Sequence, residues 1–367
     1  MRAFGVTYDT GFTSAGTTNH EPFPPDIVQR EMRVIREVLH CDAVRITGGV
    51  ADRLEIAARA AAEAGLEVWY APFTNGLTRD ELLAFLLDAA ERAERLRAAG
   101  ARVVFLTGSE ISLFTDGFLP GVTFQERAAV LGDPARFRAL LPQLNADLNA
   151  FLARVVAGVR ARFRGRVGYC SVAFEMVDWT PFDLIASDAG YRDATNAAAF
   201  ADTLRAQVAQ GKPFAVTEFG CGTFRGAADV AGRGDSIVEW GDDARPVRMA
   251  DGTVRDEQEQ AAYLREMLGL YDEGGVDAAF VYTFARWDEQ TLGDRENEPE
   301  RDFDIASFGI VRVLPPGVAE GEYAELGWEP KAAFGAVAEF GAARAVRMTQ
   351  AARAARAAEA AETAGLG

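Results

Sequence analysis

Val103-Val104-Phe105-Leu106-Thr107-Gly108-Ser109-Glu110 is the stretch on which the fold turns. Its apolar, β-branched start is too short for a helix and ends in glycine, which reads as a buried strand over 102–107. Before it lies a long alanine-rich amphipathic stretch, 78–99, closed by Gly100. A helix stopped by glycine and followed at once by a strand is one βα unit. The same alternation recurs along the chain to about residue 343. Strands are expected at 2–8, 43–47, 67–72, 102–107, 167–173, 184–187, 214–217 and 278–283. Helices are expected at 25–39, 52–64, 78–99, 144–162, 197–210, 257–271 and 331–340, and Gly65, Gly165, Gly211 and Gly274-Gly275 mark further stops. Eight such units predict an α/β protein, a single (β/α)8 TIM barrel spanning residues 1–345. Residues 346–367, rich in alanine and arginine, are expected to form a peripheral helix or tail.

Three connections that follow strands exceed the usual few residues: 111–142, 219–255 and 286–330, after strands four, seven and eight. All three fall on the face where barrel enzymes build active sites, and the last two read as lids or substrate-shaping loops.

Composition narrows the function. With 49% hydrophobic residues the chain can bury a large core, and a net charge of −17 opposes binding to nucleic acid or anionic membranes. An uncharged small-molecule or oligosaccharide partner suits that balance. Cys41, Cys170 and Cys221 are odd in number and lack CxxC spacing, so they read as small buried hydrophobes. No apolar run reaches the roughly 18 residues of a membrane span, and the start enters a strand-like segment, so a cytoplasmic protein is expected. No phosphate loop, dinucleotide fingerprint or compact metal-ligand motif is visible, and neither cofactor nor metal is expected.

Strand four runs into Ser109-Glu110 and strand seven, Phe214-Ala215-Val216-Thr217, into Glu218. A carboxylate directly after an apolar strand is costly to bury unpaired and stands where barrel catalytic groups emerge. These two positions resemble those of the retaining glycoside hydrolases of the large barrel clan that includes cellulases, β-galactosidases and β-mannanases. The resemblance implies Glu110 as acid/base and Glu218 as nucleophile. Arg45 in Ala43-Val44-Arg45-Ile46 looks like the clan's strand-two arginine, and Tyr282-Thr283-Phe284-Ala285-Arg286-Trp287 resembles its strand-eight segment, with Trp287 as the sugar platform. Tyr191, past strand six, is similar in place to the tyrosine that hydrogen-bonds the nucleophile. Clan members usually carry Asn before the acid/base, where this chain has Ser109 as the candidate sugar contact, and the only histidines are His20 and His40, away from the later strand ends.

The physical reading agrees: a retaining mechanism needs one ionised and one protonated carboxyl about 5 Å apart. Arg45 would hold Glu218 ionised, while burial and like charge would keep the proton on Glu110. Further acids crowd the same face. Asp9, Asp178, Asp188, Asp288 and Glu289 read as solvated loop acids or partners of Arg286 and Arg225, and Glu175 as an alternative catalytic or substrate-binding group. The segment Thr217 to Ala227 resembles a group of uncharacterised bacterial barrel proteins, some carrying an abortive-infection label, which would place Cys221 and Arg225 near the pocket. The expected activity is therefore hydrolysis of a small glycoside or oligosaccharide by double displacement. The alternatives are acid/base isomerisation or cyclisation of a natural product on the same barrel, and a non-catalytic ligand-binding or phage-defence-associated protein.

Overall fold

Alternating side-chain direction along each strand builds two cores from one sheet. Ala43 turns inward to meet Trp69, Ala71, Val104, Leu106, Ala215 and Phe280 inside the barrel. Its neighbours Val44 and Ile46 turn outward into the larger core beneath the helices. In the computed structural model, which describes residues 1–14, 17–241, 246–291 and 299–365, eight parallel strands close into a barrel. They are β1 (Ala3–Asp9), β2 (Ala43–Gly48), β3 (Glu67–Pro72), β4 (Val103–Ser109), β5 (Arg166–Ser171), β6 (Ile185–Ser187), β7 (Phe214–Val216) and β8 (Ala278–Val281). Each pairs with its sequence neighbours, and β8 closes the ring by pairing with β1. All eight expected strands are present.

The outer ring holds α1 (Pro25–Glu37), α2 (Ala51–Glu63), α3 (Arg79–Ala98), α4 (Pro134–Arg160), α5 (Phe200–Val208), α6 (Glu257–Glu273) and α7 (Ala332–Gly365). Helix α3 starts on a capping box between Thr78 and Glu81. Helix α4 starts ten residues before the expected 144. Asp133 accepts the Arg136 N–H, Pro134 sits at the first helical position, and Pro142 is carried inside the helix. The connection after β4 is correspondingly less loop-like: short helices Ile111–Phe114 and Phe124–Leu131 precede α4. Helix α7 runs unbroken across residue 345.

The fifth unit has no helix among the described residues: β5 passes to β6 through residues 172–184 alone. A cavity of about 640 Å³ fills that gap in the ring, lined by Val172, Trp179, Phe200, Leu204 and Phe214 on the outside of the sheet. The other two long connections also carry structure. The one after β7 contains a hairpin of Val238–Trp240 with Pro246–Met249, and the one after β8 a hairpin of Val311–Val313 with Trp328–Pro330. The latter is pinned by buried ions, Arg312 to Asp302 at 2.6 Å and Lys331 to Asp304 at 3.0 Å, which argues for a fixed wall there instead of the expected lid. Residues 242–245 and 292–298 of these connections, and the tail's 366–367, lie outside the described residues. No described helix is long and apolar enough to cross a membrane. Cys41, Cys170 and Cys221 are free and buried.

Candidate active site

Arg45 shares the inward phase of Ala43, and that phase carries its guanidinium, fully buried, into the barrel mouth. There Nη1 donates to Glu218 Oε1 at 2.7 Å and reaches the Thr217 carbonyl at 3.5 Å. Nη2 donates to Ser109 Oγ at 2.6 Å and lies 3.4 Å from Asp188 Oδ1. Ser109 passes its own proton to Asp188 Oδ2, also at 2.6 Å. Strands β2, β4, β6 and β7 thus meet at one cation. Tyr191, three residues past Asp188, donates to Glu218 Oε2 at 3.4 Å.

Glu110 reaches the same space by a different route. The register between β4 and β5 shifts after Leu106, Gly108 takes φ 110°, and Glu110 itself sits in the left-handed region at φ 48°. A non-glycine residue there is strained, and such strain collects at functional sites. A side chain at 108 would also strike Ile111, whose nearest atom is 2.9 Å from an added Cβ. The turn leaves the half-buried Glu110 at the head of the helix Ile111–Phe114, where its carboxyl makes no hydrogen bond among the described residues.

Electrostatics separates the two glutamates. Burial, followed by the charges of Glu218, Asp188 and Glu175, pushes the Glu110 carboxyl far above the ordinary range, with Arg45 opposing. Burial and Asp188 also push Glu218 up, to about 8, against direct hydrogen bonds from Arg45 and Tyr191. Like charges that repel one another share protons, and the first belongs on the member without a cation. Of the two, Glu218 gives up its proton first and Glu110 holds its proton to higher pH.

Of the remaining candidates, Ser109 belongs to the network, but both of its bonds point into the protein and not toward a ligand. Glu175 is committed as well. It accepts from Ser112 N–H and Oγ, Tyr169 and Val172 N–H, and burial raises its carboxyl to about 7. Arg225 is exposed on the rim, with its N–H bonded to Val254, and stands outside the network. Trp287 stacks on His20 at 4.0 Å between ring centroids, and among the described residues its indole shares no hydrogen bond with either glutamate. In the same run it is Tyr282, half-buried, five residues earlier and 5.9 Å from Phe308, whose phenol feels the Glu218 charge, as that of Tyr191 does. His20 is buried beside the end of β1, where its Nδ1 meets the Asp9 carbonyl at 2.9 Å, so one histidine does stand at the barrel mouth.

Glu289, fully buried, is bound to Arg286 at 2.9 Å, as the second of its two expected readings had it. One acid fits neither reading. Asp188 is buried at the centre of the network, with its side chain wholly inaccessible. Its signal was the one used for the glutamates, an acid directly after a strand; what set the glutamates apart was their place after strands four and seven, since β6 and β7 are both three residues long. Among the described residues no group of His, Cys, Asp and Glu is arranged to hold a metal ion.

No family model matches the chain, and no curated protein matches it in sequence. Solved structures do match it in shape. The GH113 β-mannanase AaManA of Alicyclobacillus acidocaldarius, in complex with ManMIm, superposes with a TM-score of 0.57 at 18% identity, covering 94% of this chain and 98% of that one. A complex structure of a GH113 β-1,4-mannanase gives 0.56 at 17%, covering 93% and 99%. The β-glucuronidase of Parabacteroides merdae gives 0.51 at 13%, with 93% of this chain matching 36% of the longer enzyme. Nothing in these likenesses supports the abortive-infection association. What they share with this chain is the architecture, an eight-stranded parallel barrel of the kind on which glycoside hydrolases are built.

Proposed function

We propose that the protein is a cytoplasmic retaining glycosidase acting on a small neutral glycoside or oligosaccharide, with Glu218 as nucleophile and Glu110 as acid/base. One observation carries the reading: a single buried cation contacts Glu218 and leaves Glu110 unpaired. Glu218, held by Arg45 and Tyr191, attacks the anomeric carbon while Glu110 delivers its proton to the departing oxygen. Glu110, now ionised, then takes a proton from the water that releases the sugar from Glu218. Mouth arginines are committed, Arg45 to Glu218 and Asp188, Arg286 to Asp288 and Glu289, which disfavours an acidic sugar. The names of the GH113 neighbours make β-mannosides the first substrates to try.

The test is a panel of aryl glycosides followed by two variants. Glu218→Gln should abolish turnover. Glu110→Ala should lose turnover of substrates with poor leaving groups and keep it on an activated aryl glycoside, because the proton from Glu110 is needed only when the leaving oxygen is basic. Normal turnover by Glu218→Gln sinks the assignment. The engagement of Ser109 inside the network, where the clan offers an amide to the sugar, favours a second reading: acid/base isomerisation or cyclisation by the same pair. Silence across the whole panel would favour it.

A further inference from the structure

We infer that Asp188 is a positioning residue for the carboxylate pair, dividing the Arg45 guanidinium with Glu218 and locking it through Ser109 so that the mouth holds one proton more than it would with Arg45 and the two glutamates alone. This rests on the roles proposed for Glu110 and Glu218.

The geometry is that of a shared cation. Arg45 presents Nη1 to Glu218 at 2.7 Å and Nη2 to Ser109 at 2.6 Å, with Asp188 Oδ1 at 3.4 Å from Nη2. Asp188 Oδ2 takes the Ser109 proton, while Oδ1 is buried without a hydrogen bond. Two carboxyl groups therefore share one guanidinium, and a third, Glu110, lies near enough to feel the charges of all three. Fully ionised, such a cluster would carry a net charge of −2, which a low-dielectric interior resists. Of the three acids, Asp188 sits closest to the cation's second arm. The excess is relieved by protonating one of the other acids, and Glu110 has no cation of its own.

The groups facing Asp188 are Arg45 from β2, Glu110 and Ser109 from the end of β4, Cys170 from β5, Tyr191 on its own connection and Glu218 after β7. Only Arg45 is cationic. Removing the Asp188 charge leaves Arg45 wholly to Glu218 and relieves repulsion on both glutamates, so both should give up their protons at lower pH. Asp188→Asn keeps the shape, and its amide can still accept from Ser109.

The experiment is a carboxyl ¹³C NMR titration of glutamate-labelled protein, with Glu110 and Glu218 assigned from Glu110→Gln and Glu218→Gln. It needs no substrate, so it can fail independently of the glycosidase assignment. In Asp188→Asn both titrations should fall by roughly 1–2 pH units, Asp188→Glu should restore them at least in part, and Ser109→Ala, which changes no charge, should move them far less. On any glycoside the wild type hydrolyses, both limbs of the kcat/KM profile should shift to lower pH by the same amount. Unmoved titrations in Asp188→Asn, or lower activity with unmoved limbs, would overturn the inference by making Asp188 merely structural. Should Asp188→Asn not fold, Asp188→Ser, small and neutral, is read in the same way.

Discussion

Arg45 shows how much one side chain can be asked to do. It is the cation shared by two buried acids, and its Nε finds no hydrogen-bond partner, so its position is held entirely by what its two terminal nitrogens reach. Arg45→Met would leave Glu218 and Asp188 buried without a counter-charge, a change that costs about 3–5 kcal/mol when a buried pair loses one member. Urea unfolding should show that loss, and any glycosidase activity should vanish with it. Arg45→Lys keeps the charge but cannot fork, so it should recover stability more than activity. A variant Arg45→Met as stable as wild type would mean the acids are neutral in the fold and the network is not ionic. Arg45 and Glu110 were legible in the sequence because each lies on or directly after a long apolar strand whose phase is fixed by its neighbours, whereas Glu218, two residues past the three-residue β7, was legible from its place after the seventh strand. Asp188 and Tyr282 were not. The first follows the sixth strand, where the resemblance placed no acid, and the second stands in the same aromatic run as the larger ring of Trp287.

Elements set the precision of that site. Asp188 and Tyr191 are carried on a connection that crosses β7 at Gly190, whose N–H bonds the Glu218 carbonyl and whose carbonyl accepts from Tyr271. A Cβ added at 190 would meet Val216 at 2.2 Å and the Glu218 carbonyl oxygen at 2.5 Å. Gly190→Ala should therefore cost about 1–3 kcal/mol through overpacking and lower kcat/KM by lifting Tyr191 from Glu218; full activity with an unchanged melt would refute this. A second element test concerns where α4 begins. Asp133→Ala removes its cap, so it should lower stability by about 1 kcal/mol and leave the site untouched, whereas a helix starting near 144 would make the change silent. The eight strands could be read from the chain because each is a short apolar run bounded by turn residues. The early start of α4 was hidden by Pro142, which weighs against a helix interior on local grounds but is tolerated on a helix already capped at Asp133 and packed through Leu144, Leu148 and Phe151. No helix is expected between the strands at 167–173 and 184–187, a gap too short to hold one with its loops, and the structure has none there.

At the scale of the whole molecule, the interior carries more buried acid than buried cation, and this dictates how stability depends on pH. Burial raises Asp9 to about 6, Glu31 and Glu175 to about 7, and Glu289 to about 8. A carboxyl whose folded value lies above its unfolded value holds its proton longer in the folded state, so the folded protein binds more protons and stability falls as pH rises through that window. His20 acts oppositely. Burial lowers it to about 4, and it adds stability as pH climbs from there toward its unfolded value of 6.5. The two effects contend below pH 6.5, but above it the histidine is neutral in both states and only the carboxyls remain. The urea midpoint should therefore fall steadily between pH 6.5 and 8.5. Glu31 isolates the effect, because it lies away from the active site, between β1 and α1, accepting from Tyr8 and from Trp328 at 2.8 Å. Glu31→Gln cannot ionise, so its midpoint should decline less over the same range while any glycosidase activity stays as in wild type. A midpoint that rises from pH 6.5 to 8.5 in the wild type would show that these acids are already ionised in the fold.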